Sequence, residues 1–362
     1  MVLLSKEQIN TMNSVLDPLK LLLKELNYNA QHVNISSQTP VQIFDTLNTA
    51  KITSESVLLA CGDVWRYFNV ESDIFNHPAL TNKTVFLQTL GYTNTKYNDS
   101  HYHISIPLWY WPRTHCPEDF IPRPSDLEYG FSCLNNATSI HRFILGHNLY
   151  ANNLLEDMIF TQNLVDSDYS LMRIEQDLNI LDLPKFHEYK NLLPLLVEEE
   201  QGFGPVNFKN FKNQLGIVTP LTHPAFSNAY CFISVESECE EYPYSRNINL
   251  PVLTEKSYKS FITRQIPLVV GARGHYAYLK DLGFEMMEDF LPNGYDDMPF
   301  LKKVDAIVST VAKGKEFAKD FYFSHLPEIQ HNYELVNSTK VEELILKRIH
   351  TLLTEIERVS NA

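Results

Sequence analysis

The sequence predicts an α/β protein built on parallel strands. Short apolar runs recur along the chain, and several end at a glycine or a polar residue, as residues 57–60 and 266–270 do. Segments in which apolar residues recur at helical spacing accompany these runs. The composition, 44% hydrophobic and 20% charged, is that of a folded protein. Strands that alternate with short helices indicate a parallel sheet covered by helices.

The first third of the chain is predicted to contain one helix and three strands. Apolar residues recur at helical spacing over residues 5–26. The runs at 57–60 and 85–87 are typical of short buried strands, and residues 103–111 alternate as a half-buried strand does. The proline-rich stretch at 112–124 predicts a long loop.

The rest of the chain shows the alternation most clearly. Three further strands are predicted, at residues 129–134, 230–235 and 266–270. Helical spacing and terminal glycines or capping residues predict helices that include His141 and Arg142 and that cover residues 257–264, 276–282, 299–313 and 339–356.

Composition and charge narrow the class of protein. A net charge of −14 disfavours a broad nucleic-acid surface, although a local basic cleft would still allow one. The five cysteines are scattered without a C-x-x-C pair, so neither a zinc site nor a disulfide framework is indicated. No stretch approaches the roughly 18 apolar residues of a membrane span, and the N-terminus lacks a signal-peptide core. We expect a soluble, intracellular protein without a metal.

The triplet Thr254-Glu255-Lys256 is the first candidate site. It opens a predicted helix and precedes the apolar strand that ends at Gly271. A helix N-terminus and a lysine can neutralise phosphate, and a carboxylate can accept hydrogen bonds from ribose hydroxyls. Ordinary helix capping by Thr254 is the simpler alternative.

Two further candidates follow predicted strands. Glu236 comes directly after the strand that contains Ser234, and ligands of parallel sheets bind at that end. Taken alone, Glu236 is more simply a residue of a surface loop. Asn135 ends another strand, and Arg142 lies in the next helix, where its guanidinium could bind a pyrophosphate with two hydrogen bonds. A solvated helical arginine is the alternative.

Other polar clusters receive structural interpretations. Asp296 and Asp297 are interpreted as caps of the helix predicted from Pro299. Asp166 and Asp168 lie in a polar loop and are not interpreted as a metal site. The phosphate-loop, dinucleotide, zinc-protease and nucleophile-elbow motifs do not occur in the sequence.

The order of these segments resembles the donor-binding region of α-1,3-fucosyltransferase-like glycosyltransferases, including viral and bacterial relatives. The resemblance spans roughly residues 129–310 with gaps. The residues that carry it are Ser132-Cys133-Leu134-Asn135 with Arg142, Glu236-Ser237, Thr254-Glu255-Lys256, the run from Pro267 to Gly271, the run from Tyr278 to Phe284, and Tyr295-Asp296. The residues between Asn135 and Arg142 and the spacing from Glu236 to Glu255 depart from the family pattern, so the donor stays open.

The resemblance implies a GT-B-like α/β fold, in which two Rossmann-like domains face a cleft and the C-terminal helix packs back. Residues 1–128 would form the acceptor-side domain and residues 129–362 the donor-binding domain. It implies that Lys256 and Arg142 bind the donor diphosphate, that Glu255 binds the ribose, and that Glu236 lies beside the transferring sugar. The remaining donor-binding residues would be Asn135, Ser234 and Thr254.

The function expected from this resemblance is metal-independent transfer of a sugar from a GDP- or UDP-linked donor to a hydroxyl of a glycan or other acceptor. No cofactor beyond the donor is expected, and the location would be the cytoplasm of a bacterium or of a virus-infected cell. Asp63 and His103 are candidates for the general base from their positions near strand ends. Two alternatives remain: a phage-type enzyme that glycosylates hydroxymethylated DNA bases, and a non-catalytic protein that binds nucleotide sugars.

Overall fold

The structure is a computed structural model. It describes residues 19, 23 and 24 and residues 28–35, 40–60, 74–89, 95–96, 100–105, 120–135, 140–162, 186–193, 224–236 and 255–360. The described residues form two compact units. The first takes in those between Met1 and Tyr110 and from Ser338 onward, and the second those between Trp111 and Asn249 and between Glu255 and Asn337.

Nine strands are found in the described part of the chain: β1 Gln31–Asn34, β2 Ser56–Ala60, β3 Thr84–Thr89, β4 Thr95–Lys96, β5 His101–Ser105, β6 Tyr129–Asn135, β7 Met158–Gln162, β8 Ala229–Val235 and β9 Ile266–Val270. The described α-helices are α1 Pro40–Thr49, α2 Ile140–Ala151, α3 Phe186–Leu192, α4 Pro224–Ser227, α5 Glu255–Ile262, α6 His275–Asp281, α7 Phe300–Val311, α8 Gly314–Ser324, α9 Leu326–Val336 and α10 Lys340–Ser360.

Most of the predicted elements are confirmed. The strands predicted at 57–60, 85–87, 129–134, 230–235 and 266–270 correspond to β2, β3, β6, β8 and β9. The helices predicted in the last third correspond to α5, α6, α7 and α10, with ends that differ by a few residues. The strand predicted at 103–111 begins earlier, at His101, and its residues after Ser105 lie outside the described part. So does nearly all of the helix predicted at 5–26.

The first unit contains a five-stranded sheet with the order β1-β2-β3-β5-β4, and α10 belongs to this unit. Successive strands up to β5 are parallel, and β4 pairs antiparallel with β5. The predicted parallel pairing is found for β1, β2, β3 and β5, and the edge strand β4 is an antiparallel addition. The connection from β4 to β5 is too short for the crossover that a parallel pair needs. Consecutive residues of β2 are buried, as in a strand that is covered on both faces.

The second unit contains a four-stranded sheet with the order β7-β6-β8-β9, and all its strand pairs are parallel. Every residue of β8 and of the edge strand β9 is buried, so both strands are covered on both faces. From β6 the chain proceeds to β7 on one side and then returns to place β8 on the other side. The strand order therefore reverses between β6 and β8, and parallel sheets bind ligands at such a reversal.

Helix α5 is held against this sheet by its apolar face and by its C-terminal end. Phe261 stacks on Phe284 with ring centroids 4.3 Å apart. Beyond the end of the helix, the buried guanidinium of Arg123 donates hydrogen bonds to the backbone oxygens of Thr263 and Arg264, the second at 3.1 Å. A cation just beyond the C-terminal end of a helix interacts favourably with the helix dipole.

Candidate functional site

The carboxyl edge of the second sheet carries buried polar side chains on three of its four strands. Asn135 ends β6 and is paired in register with Gln162 at the end of β7. Glu236 directly follows β8, and Gly271 directly follows β9. The two polar residues next to the reversal of strand order, Asn135 and Glu236, are respectively 1% and 0% exposed. We treat this edge, with the helix starts that follow it, as the candidate site.

Glu236 joins three elements at this edge. Its backbone N–H donates to the carbonyl oxygen of Val270 at 3.0 Å, which extends the pairing of β8 with β9. Its backbone oxygen accepts a hydrogen bond from Nε2 of His141, in the first turn of α2, at 2.9 Å. Its carboxylate accepts a hydrogen bond from the hydroxyl of Ser257, in the first turn of α5. The residue therefore connects the strand ends to the starts of two helices.

A buried imidazole continues this hydrogen-bonded chain. Nε2 of His275, at the start of α6, lies 2.9 Å from Oγ of Ser257. Burial lowers the pKa of His275, while the carboxylates of Glu236 and Asp296 act to raise it and Lys303 acts to lower it. Because the lowering prevails, the imidazole is neutral at pH 7. Among the described residues, its Nδ1 has no hydrogen-bond partner.

Arg142 and Asn135 both lie at the carboxyl ends of β6 and β8, the two strands between which the strand order reverses. The guanidinium of Arg142 is buried and donates to the backbone oxygen of Val235 at 3.3 Å. Asn135 donates from its amide to the sulfur of Cys133 at 3.6 Å. Burial raises the pKa of the Cys133 thiol to about 12, although Arg142 acts to lower it. The thiol is therefore neutral, and Arg142 carries the charge in this cluster.

The structure places some of the other predicted donor-binding residues at the same edge. Lys256 is the second residue of α5 and is partly exposed. Ser234 is buried within β8, and its hydroxyl has no hydrogen-bond partner among the described residues. Glu255 begins α5 with its side chain outside the described part, and Thr254 lies wholly outside it.

Of the two candidates for a general base, His103 belongs to the first unit. Asp63 lies outside the described residues, and His103 is described through its backbone, as part of β5. Both assignments stay predictions.

Asp296 caps a different helix from the one expected. Its carboxylate accepts hydrogen bonds from the backbone N–H groups of Tyr276 and Ala277 at 3.0 and 2.9 Å. These groups belong to the first turn of α6, whose own N-cap residue, Gly274, has no side chain that could accept them. The interpretation of Asp296 as a cap of the helix after Pro299 is therefore wrong. The reason is that the first turn of α6 has no side-chain acceptor at its own N-cap, so its N–H groups bond to a carboxylate of the 3-10 turn Tyr295–Asp297.

Sequence reasoning missed several residues of the site, among them His275 and Lys303. The ammonium group of Lys303 is buried and donates to the backbone oxygens of Gly271 and Ala272, both at 3.1 Å, so it holds the end of β9. Its position gave a usable signal, since it lies on the apolar face of α7 beside Phe300 and Ile307. His275 had no such signal because its partner is distant in the chain.

The arrangement favours an anionic ligand. Helices α2 and α5 begin after β6 and β8, so their N-termini flank the reversal of strand order. Each helix has a cation in its first turn, Arg142 in α2 and Lys256 in α5. Helix N-termini carry partial positive charge and bind phosphate groups. Among the described residues, no group of three or more His, Cys, Asp or Glu side chains could hold a metal ion. No helix there is long and apolar enough to cross a membrane.

Comparisons with known proteins do not identify a family for this chain. No family model matches the chain, and no curated protein is significantly similar to it. Among solved structures, the chain is similar to a glycosyltransferase from Rickettsia africae ESF-5, with 13% identity and a TM-score of 0.40, over 95% of this chain and 84% of that one. At this TM-score the likeness carries no argument, so the functional conclusion depends on the site.

Proposed function

We propose that the protein is a glycosyltransferase that moves a sugar from a nucleoside-diphosphate sugar to an acceptor hydroxyl. One observation carries the proposal: two helix N-termini, each with a cation in its first turn, flank the reversal of strand order in a parallel sheet. This is where parallel α/β sheets bind nucleotides. The resemblance of residues 129–310 to fucosyltransferase-like enzymes supports the same assignment.

In this proposal the diphosphate is the group that the site recognises. Lys256, Arg142 and the two helix N-termini neutralise its charge as the bond to the sugar breaks, which removes the need for a metal. Because Arg142 is buried and bonded to Val235, it acts on the diphosphate from inside the protein. Lys256 is partly exposed and can reach the diphosphate directly. Glu255 accepts hydrogen bonds from the ribose hydroxyls, and the other proposed donor-binding residues are Asn135, Ser234 and Thr254.

The transfer step needs a base and an acceptor. The acceptor oxygen attacks the anomeric carbon, the bond from that carbon to the diphosphate oxygen breaks, and its electron pair leaves with the diphosphate. The proton of the acceptor hydroxyl passes to a general base, for which Asp63 and His103 are the proposed candidates. We extend the proposal to a GT-B-like fold, in which the first unit supplies the acceptor side.

Calorimetric titration with GDP, UDP and their sugar conjugates tests the proposal. We expect binding of one nucleotide series and a loss of about tenfold or more in the Lys256→Ala variant, as for the loss of one charge-assisted hydrogen bond. Lys302→Ala is the matched control, because it removes the same charge from an exposed position in α7. Absence of binding to every nucleotide, or equal affinity in Lys256→Ala and wild type, would refute the proposal.

A second assay separates an enzyme from a binding protein. Release of free nucleoside diphosphate from the bound conjugate, in the presence and absence of glycan acceptors, measures transfer and hydrolysis. Glycosyl transfer predicts release that increases with acceptor. Tight binding without release would instead indicate a non-catalytic nucleotide-sugar-binding protein.

A further inference from the structure

We infer that Glu236, Ser257 and His275 form a buried clamp that fixes the first turn of α5, and that Glu236 acts as a positioning residue. This inference rests on the proposed function and assigns Glu236 a role different from contact with the sugar. The carboxylate is fully enclosed and bonded to Ser257, which in turn contacts His275. These three residues are called the clamp below.

The direction of the hydrogen bond between Ser257 and Glu236 fixes the other hydrogen atoms of the clamp. The Ser257 hydroxyl donates to a carboxylate oxygen of Glu236. The oxygen of Ser257 is then an acceptor for the 2.9 Å contact, which requires a proton on Nε2 of His275. A neutral imidazole protonated at Nε2 carries a lone pair on Nδ1. The clamp therefore predicts one tautomer of His275.

Gly271 supports this tautomer from the opposite side of the ring. A Cβ atom placed on Gly271 would lie 2.8 Å from Nδ1 of His275, so a hydrogen of the glycine Cα points at this nitrogen. A lone pair on Nδ1 can accept this close C–H group. If Nδ1 carried a proton instead, that hydrogen would clash with the hydrogen on the Cα of Gly271. A side chain at residue 271 would push the ring out of reach of Ser257.

The clamp sets the direction in which Lys256 points. The C-terminal end of α5 is held by Arg123, and its apolar face by the stacking of Phe261. The first turn is held at Ser257 through Glu236. Because Lys256 directly precedes Ser257, and adjacent helical residues are about 100° apart around the axis, fixing Ser257 also fixes the direction of Lys256. Loosening the clamp would move both the lysine and the helix N-terminus away from the diphosphate.

The affinities of three ligands distinguish positioning from direct contact. Calorimetry would compare a nucleoside, its diphosphate and the sugar conjugate in wild type, Glu236→Gln and Ser257→Ala. Positioning predicts that both variants bind diphosphate and sugar conjugate about tenfold more weakly, by the same factor, and bind the nucleoside unchanged. If Glu236→Gln weakens the binding of the sugar conjugate alone, Glu236 contacts the sugar directly and the inference is overturned.

A matched pair at His275 tests rescue. His275→Gln retains an N–H donor near the position of Nε2, whereas His275→Met has a similar length without a donor. We expect diphosphate affinity to stay within about twofold of wild type in the first variant and to fall about tenfold in the second. Equal behaviour of the two variants would show that the side chain only fills space. This pair also decides the matter if Glu236→Gln does not fold.

Two measurements on the protein alone separate failure of the clamp from failure of the proposed function. Nitrogen-15 NMR at pH 7, with the His275 signal identified by its loss in His275→Gln, should show a neutral ring protonated at Nε2. In thermal unfolding, the loss of stability in the double variant should be smaller than the sum of the losses in Glu236→Gln and Ser257→Ala, because both changes break the same chain of hydrogen bonds. A ring protonated at Nδ1, a charged ring, or additive losses would refute the clamp. No nucleotide binding by wild type would refute the proposed function instead.

Discussion

The buried guanidinium of Arg123 should be a major source of stability for the second unit. Its side chain donates three hydrogen bonds to the backbone oxygens of Phe226, Thr263 and Arg264, without a carboxylate among these partners. Burial lowers its pKa from 12.5 to about 10, with smaller effects from neighbouring residues, so it stays charged at pH 7. The perturbation is Arg123→Met, which retains the apolar stem and removes every donor of the side chain.

The magnitude follows from two opposing terms. Three hydrogen bonds from a charged donor contribute about 5–9 kcal/mol in total. The lowered pKa of Arg123 corresponds to a desolvation cost of about 3 kcal/mol, which Arg123→Met recovers. The net destabilisation is therefore about 2–6 kcal/mol. For a unit of this size each kcal/mol lowers the melting temperature by roughly 2–4 °C.

Urea unfolding monitored by fluorescence measures this loss as a lower midpoint at unchanged slope. Arg123→Lys should lie between wild type and Arg123→Met, because lysine keeps the charge and lacks the planar fork. Lys302→Met, at an exposed position, is the control and should change the free energy of unfolding by less than about 0.5 kcal/mol. A loss below about 1 kcal/mol in Arg123→Met would refute the reasoning.

Three further predictions concern the second unit. Asp296→Ala should lower the free energy of unfolding by about 1 kcal/mol, with a smaller loss in Asp296→Asn, because the α6 cap is removed; chemical denaturation checks this. The pKa of His275 in the folded protein is below 6.5, so the unfolded chain binds a proton more readily, and stability falls as the pH drops below 6.5. Between pH 7 and pH 5 the melting temperature should therefore fall less in His275→Gln than in wild type. Gly146→Ala should lose about 1–3 kcal/mol, since its Cβ would lie 2.0 Å from the Tyr189 hydroxyl oxygen; an unchanged midpoint would contradict this.

The strands were predictable because their signal is local. The run Ile266–Val270 is apolar throughout, and its five residues are buried in a parallel sheet, as the pattern indicates. Glu236 could be placed at the carboxyl edge for the same reason, since it directly follows such a run. Lys303 could also have been recognised, because a lysine on an apolar helix face needs acceptors inside the protein.

The partners of these residues were not predictable. Asp296 is next to the helix after Pro299 in the chain, but it caps α6. The sequence does not show that α6 begins without an acceptor, because that depends on the conformation at Gly274. The antiparallel edge strand β4 was not predictable either, because two residues are too few to show a strand pattern in the sequence.

The sequence by itself determined the α/β class, the positions of the buried strands, the location of Glu236 and Asn135 at strand ends and the start of α5, because burial and helical spacing are encoded in neighbouring residues. The tertiary structure alone decided that the strand order reverses between β6 and β8 and that Ser257 and His275 enclose the Glu236 carboxylate. Hydrogen bonds between segments distant in the chain depend on how the helices pack on the sheet, and no spacing in the sequence records that packing.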